Sequence, residues 1–168
     1  MIPKLVITDV DGVWTDGGMY YDETGNEFKK FNTSDSAGIL FCRSLNIPVA
    51  IITGENAKSV LARAKKLKIE HVFTGTTDKL TCASALCDKL GISLSEVAFI
   101  GDDLYDIPLL QKVGLSACPA NAPEYIKKLC KWKLTVHGGQ GAFRHFIEMI
   151  LIKNNLLDKV LLGYMGKG

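Results

Sequence analysis

The sequence predicts an α/β fold, a three-layer Rossmann-like parallel sheet carrying one projecting β-hairpin. Three observations support this. Short apolar runs rich in branched residues recur at 4–8, 48–52 and 97–100, each too short for a helix. The stretches between them have room for helices, and such βαβ alternation implies parallel strands covered on both faces. One segment breaks the alternation: β-prone residues at 19–21 and 26–31 flank Asp22-Glu23-Thr24-Gly25, an Asp/Gly turn.

In chain order, strands are expected near 4–8, 48–52, 71–74, 97–100 and 115–117, with a short one near 132–136. Helices are expected near 35–46, 56–68, 79–90, 103–113, 122–130 and 141–154, Gly38 being a tolerable weakness in the first. The hairpin, at 18–32, carries Tyr20, Tyr21, Phe28 and Phe31, and a lone two-stranded ribbon buries such rings poorly. It either folds back on the core or meets another subunit, and the second is the expectation. The end of the chain, 160–168, is glycine-rich and expected to be mobile. At 168 residues the chain fits a single domain over 1–168.

Composition excludes several classes. A hydrophobic share of 47% and a charged share of 23% belong to a globular protein. A net charge of +2, spread evenly, offers no stripe for nucleic acid; Lys65-Lys66 and Lys127-Lys128 read as solvated helix faces. No apolar run reaches membrane-spanning length, and the start of the chain lacks a signal-peptide pattern. Five cysteines without a CxxC spacing fit unpaired thiols in a reducing compartment, so a cytoplasmic location is expected. Trp132, His71 and His145 read as structural residues, and His137 as a loop residue near the mouth of the site.

Polar groups punctuate the ends of the apolar runs. Asp9-Val10-Asp11-Gly12 follows the first, Thr53-Gly54 the second, and Gly101-Asp102-Asp103-Leu104-Tyr105-Asp106 that at 97–100, while Lys79 opens a helical stretch. Open α/β sheets bind ligands at the carboxyl ends of their strands. Carboxylates, a hydroxyl and an ammonium gathered there supply a nucleophile, oxygen ligands for Mg²⁺ and donors for phosphate, the groups that metal-dependent phosphoryl transfer needs.

These motifs resemble the four motifs of the haloacid dehalogenase superfamily of phosphatases, at Asp9/Asp11, Thr53, Lys79 and Asp102/Asp103. The run from Asp9 to Gly17, Asp35, Gly38-Ile39 and Gly138-Gly139-Gln140-Gly141-Ala142-Phe143-Arg144 are similar to a small branch hydrolysing 3-deoxy-octulosonate 8-phosphate and related sugar-acid phosphates. About 20 residues separate the hairpin from Thr53, and about 25 separate Thr53 from Lys79, too few for the cap domain of larger relatives. A capless enzyme still needs its site shielded from water, and a neighbouring subunit is the available wall. The resemblance implies a homotetramer built around the hairpins.

It further implies that Asp9 attacks phosphorus and forms an aspartyl phosphate, with Mg²⁺ as cofactor. Asp11, placed on the same side of an extended chain, protonates the leaving oxygen and then activates water. The implied metal ligands are Asp9, Asp102 and the backbone carbonyl of Asp11. Asp103 is expected to hold a metal-bound water and Asp106 to orient Lys79. Thr53 and Lys79 hold phosphoryl oxygens, Gly12 lets the backbone approach the phosphate, and Gly54 is counted among the substrate-binding residues.

For the sugar, Glu55 and Lys66 lie eleven positions apart, three helical turns, and are expected to share a face. The octulosonate pattern carries arginine after Thr-Gly and an acid near Lys66; here the signs are reversed. That favours a nine-carbon substrate, a 2-keto-3-deoxy-nononate (KDN) or sialic-acid-like 9-phosphate, over the eight-carbon 8-phosphate as alternative. Arg63, Gln140 and Arg144 are candidates for the substrate carboxylate. A further alternative is a non-catalytic tetramerisation module, which degraded motifs would mark; every motif position here is filled.

Overall fold

β1 (Leu5–Thr8) lies at the centre of a six-stranded sheet, and every side chain in it is buried. β4 (Val49–Ile52) and β5 (His71–Phe73) flank it on one side, and β6 (Val97–Ile100), β7 (Leu115–Cys118) and β8 (Trp132–Lys133) on the other. The computed structural model describes residues 1–166, and all five strand pairings in this sheet are parallel. The order β5-β4-β1-β6-β7-β8 makes β1 the switch point, where successive connections turn to opposite sides and leave a crevice. Short branched runs form these strands because both faces are covered, so alternation with polar residues is absent.

The pleat divides the core. Val6 joins Ile51, Ala98 and Ile100 under α1 (Asp35–Ser44), α2 (Lys58–Leu67) and α6 (Ala142–Lys153). Leu5 and Ile7 join Ala50, Ile52, Val97 and Phe99 under α3 (Lys79–Leu90), α4 (Ile107–Leu110) and α5 (Glu124–Lys127). Trp14 seals the first cluster, its indole N–H donating to Thr8 Oγ1 at 2.9 Å and its ring 4.8 Å from that of Phe143.

The antiparallel hairpin consists of β2 (Tyr20–Tyr21) and β3 (Glu27–Phe28), with Asp22 accepting from the N–H groups of Thr24 and Asn26 across the turn. Tyr20, Tyr21 and Phe28 are exposed, whereas Phe31 packs against the main core, with the Arg63 guanidinium 5.9 Å from its ring centre. No domain is inserted between β1 and α3 beyond this hairpin. The end of the chain differs from expectation. Residues 157–165 form α7 (Leu157–Met165), held by buried Val160 and by Tyr164, whose hydroxyl donates to Leu40 O at 3.3 Å. An apolar face at helical spacing outweighed the glycines. Lys167 and Gly168 lie outside the described residues. All five cysteines are free, and among the described residues no helix is long and apolar enough to cross a membrane.

Asp35 joins α1 to α6. It is fully buried, its Oδ1 accepts the backbone N–H of Arg144 at 3.0 Å, and its Oδ2 has no partner among the described residues. Burial pushes its carboxyl up to about 6, against the opposing pull of the Arg144 N–H and Arg63. Folding therefore favours the neutral form. That contribution is full below the unfolded pKa near 3.8 and is lost as pH rises through about 6. Asp35→Asn lacks this slope, so its stability relative to wild type should rise by about 2–3 kcal/mol between pH 3.5 and 7.5. Urea unfolding of both proteins at the two pH values checks this; an unchanged difference would mean that Asp35 ionises freely in the fold.

Candidate active site

A cavity of about 540 Å³ opens at the carboxyl ends of β1, β4 and β6. Asp9, Asp11, Gly12, Thr53, Gly54, Glu55, Lys79, Asp102, Asp103 and Asp106 all line it, drawn from four separated stretches of chain. Asp9 N–H donates to Ile100 O at 3.0 Å, so Asp9 is the last residue that the sheet holds in place. The chain then turns. Val13, Trp14 and Thr15 all donate to Val10 O, so Asp11 reaches the cavity from a loop rather than from the extended strand assumed in the sequence reading.

Lys79, only 3% exposed at the first turn of α3, connects the cluster. Its Nζ lies 2.8 Å from Asp9 Oδ1 and 2.6 Å from Asp106 Oδ1. Burial alone lowers the ammonium pKa, but Asp9 and Asp106 more than offset this and hold it above the ordinary lysine value. Asp106 Oδ2 accepts the backbone N–H groups of Asp102 and Asp103 at 2.8 and 3.0 Å. Asp106 therefore ties the loop after β6 to Lys79. Asp103 caps the following turn, its Oδ1 accepting from Leu104 N at 2.8 Å.

Carboxylate oxygens of Asp9, Asp102 and Asp106 lie within 4.8 Å of one another. Burial first, and then the charges of Asp9 and Asp106, push Asp102 up to about 8. Asp9 is raised by burial and by Asp106, against the pull of Lys79. Asp102 Oδ1 is buried with no hydrogen-bond partner among the described residues. One ammonium among three packed carboxylates leaves negative charge uncompensated, and hard oxygen donors of this kind suit a divalent cation. Both oxygens of Asp106 are already engaged, so Asp9 and Asp102 are the carboxylates with capacity for one. Gly12 closes the wall. At φ +79°, its missing Cβ would stand 1.9 Å from Asp102 Oδ2, so any side chain there displaces the acid.

Asp11 faces the hairpin. Its Oδ1 and Oδ2 accept from Lys29 Nζ at 2.8 and 2.9 Å, and Thr15 Oγ1 donates to Oδ1 at 3.3 Å. The same ammonium lies 2.6 Å from Glu27 Oε1. Sequence reasoning missed Lys29, because nothing local shows that the hairpin folds its base over the catalytic loop. It also missed Asn121, whose Nδ2 donates to Gly12 O at 3.1 Å and whose Oδ1 accepts from Gly138 N at 2.6 Å. Asn121 follows β7, and the strand-end logic that flagged Asp9 and Thr53 reaches it too.

The residues proposed for the sugar separate. Glu55 lines the cavity; Lys66, Arg63, Gln140 and Arg144 do not. Glu55 precedes α2, which begins at Lys58, so helical periodicity does not carry it onto the face of Lys66, and Lys66 is exposed. Arg63 donates to Ser36 Oγ at 2.9 Å beside Phe31. Arg144 Nε donates to Glu148 Oε1 at 2.7 Å, one helical turn on, and Gln140 is exposed. The glycine pair before Gln140 packs on the catalytic loop instead: a Cβ on Gly138 would meet Gly12 O at 1.8 Å. His137 does not line the cavity either.

A sheet with its switch point at an aspartate loop, and a lysine bridging two carboxylates beside it, defines a phosphohydrolase of the haloacid dehalogenase type. Residues 65–147 match the haloacid dehalogenase-like hydrolase family, a span that includes Lys79, Asp102 and Asp106. The chain is 41% identical over 156 residues to a 3-deoxy-D-manno-octulosonate 8-phosphate phosphatase of Salmonella typhi, covering 93% of this chain and 83% of that one. It is also 38% identical, at a TM-score of 0.93, to the phosphatase of that name from Moraxella catarrhalis, solved in complex with magnesium ion, phosphate ion and a KDO molecule; the match covers 96% of this chain and 93% of the other. A probable yrbi family phosphatase from Pseudomonas syringae superposes at 0.95 with 39% identity, over 99% and 95% of the two chains. The chain belongs to the haloacid dehalogenase-like hydrolases and is a phosphoric monoester hydrolase, closely similar to the octulosonate phosphatases.

Proposed function

We propose that the chain hydrolyses 3-deoxy-D-manno-octulosonate 8-phosphate with Mg²⁺ as cofactor. The observation that carries this reading is the buried Asp9–Lys79–Asp106 bridge beside Asp102, in a chain about 40% identical to phosphatases of that name. The eight-carbon substrate replaces the nine-carbon one as the preferred reading, because the matched phosphatases are named for the eight-carbon ester and Lys66 does not line the cavity beside Glu55. Glu55 alone lines the rim, and it keeps the nine-carbon 9-phosphate as the second reading.

Asp9 and Asp102 carboxylates and the Asp11 carbonyl would hold Mg²⁺, which when bound offsets the repulsion between a phosphate and the site's carboxylates. Asp9 attacks phosphorus, forming the Asp9–phosphorus bond as the ester bond breaks. Asp11 gives its proton to the departing sugar oxygen, then takes one from the water that cleaves the aspartyl phosphate. Lys79 and the Thr53 hydroxyl donate to phosphoryl oxygens, while Asp106 keeps Lys79 from swinging away. Asp103, which also lines the cavity, would hold water beside a bound cation.

The remaining assignments are coarser. The exposed Tyr20, Tyr21 and Phe28 favour an assembly through the hairpins, a homotetramer in which a neighbour closes the site. In such an assembly Arg63, Lys66, Gln140 or Arg144 could approach substrate only from another copy or after rearrangement. Five free thiols favour a reducing, cytoplasmic setting.

Turnover of the eight-carbon 8-phosphate and a nine-carbon 9-phosphate, each after chelation and after return of Mg²⁺, tests the reading. Activity should vanish with chelator, return with Mg²⁺ and favour the eight-carbon ester, while Ca²⁺ inhibits through its looser geometry. Full activity in chelator would sink the metal assignment; preference for nine carbons would restore the longer substrate.

A further inference from the structure

We propose that Lys29, at the base of the hairpin, is the positioning residue for Asp11 and so couples the hairpin to the chemistry. The inference rests on the phosphatase reading above.

Lys29 is an unusual residue for a surface hairpin. Its side chain is fully covered, whereas that of Asp11 keeps 24% exposure toward the cavity. Both Asp11 oxygens lie within 2.9 Å of its ammonium, a two-point attachment that fixes the carboxyl plane as well as its place. Thr15 supplies a third bond, to Oδ1, and also accepts from Gly17 N at 3.1 Å, so it ties Asp11 to the loop as well. Glu27 Oε1, 2.6 Å from the same Nζ, gives the buried ammonium a second carboxylate partner and fixes its place. Lys79 is held by Asp9 and Asp106, so the two lysines serve different carboxylates.

The function of the arrangement follows from the loop that carries Asp11. Unlike Asp9, Asp11 lies beyond the sheet ladder and has no strand to aim it. Proton delivery to a departing oxygen demands placement to a fraction of an ångström. Lys29 provides that placement across 18 residues of sequence. In the step concerned, Asp9 Oδ bonds to phosphorus, the phosphorus–ester oxygen bond breaks, and that oxygen takes the Asp11 proton.

The test exploits leaving groups, with kcat/KM reporting the step up to loss of the alcohol. p-Nitrophenolate departs unaided; phenolate needs help, and a primary alkoxide such as that of the sugar 8-phosphate needs more. Lys29→Met should leave p-nitrophenyl phosphate within about 3-fold of wild type and lower the alkyl ester by about 100-fold, phenyl phosphate falling between. In an Asp11→Asn background Lys29→Met should add no further loss, because two residues acting through one group are not additive. Lys29→Arg, which keeps a two-point cation, should recover most of the alkyl activity; Lys29→Gln replaces the Met variant if circular dichroism shows that variant unfolded. Equal losses on all three esters, or a full extra loss in the Asp11→Asn background, overturns the role. If wild type turns over none of the esters, it is the phosphatase reading that fails.

Discussion

Asp9→Asn abolishes turnover, lowering kcat/KM on p-nitrophenyl phosphate by on the order of 10⁴-fold or more. The amide keeps the shape and volume of the side chain and removes the electron pair that attacks phosphorus. Structure survives, because Asp9 reaches the sheet through its backbone N–H to Ile100 O, which the substitution leaves intact. Its charge is also a local burden: burial and Asp106 push its carboxyl above the usual range. The melting temperature should therefore stay within a few degrees of wild type or rise. Acid-quenched wild type given radiolabelled substrate should carry phosphate on Asp9, and the variant should carry none. A variant with turnover within tenfold of wild type, or label on another residue, would overturn the aspartyl-phosphate mechanism.

Lys79→Met has the second large effect, on activity and stability together. Lys79 is 3% exposed and stands between Asp9 and Asp106, themselves 7% and 1% exposed. Its removal leaves two buried carboxylates without a cation, a change that costs about 3–5 kcal/mol where no other compensation forms. It also removes a donor to the transferring phosphoryl group, worth about 10²–10³-fold in turnover. The stability loss depends on pH with a definite sign. Without the ammonium the already raised Asp9 carboxyl loses the pull of Lys79, so its neutral form is favoured further by folding and stability falls as pH rises. Urea unfolding should show a deficit that is larger at pH 8 than at pH 5. A deficit independent of pH would place the cost in packing rather than charge.

The grouping of Asp9, Thr53 and Asp102 around one cavity was legible in the sequence for a geometric reason. Asp9, Thr53 and Asp102 follow strands that are short, branched and buried on both sides, and a parallel sheet puts all such strand ends on one edge. Position along the chain then nearly determines position in space. Glu55 and Lys66 show where this logic stops: helical spacing applies only inside a helix, and α2 starts three residues after Glu55. The tail misled for a related reason, since Gly163 and Gly166 advertise freedom while Val160 finds a buried place that only packing reveals.

Sequence alone thus determined the α/β class and the strand ends that carry Asp9, Thr53 and Asp102, because local apolar pattern and strand polarity suffice for both, while the phosphatase chemistry came from the resemblance of those motifs to a known family. Tertiary structure alone decided that Lys29 and Glu27 bracket Asp11, that Asn121 joins Gly12 to Gly138, and that Arg63 and Arg144 find partners away from the cavity. Those contacts link residues whose separation in sequence carries no periodicity, so they exist only once the hairpin, the loop after β7 and the start of α6 have been folded onto the same edge of the sheet.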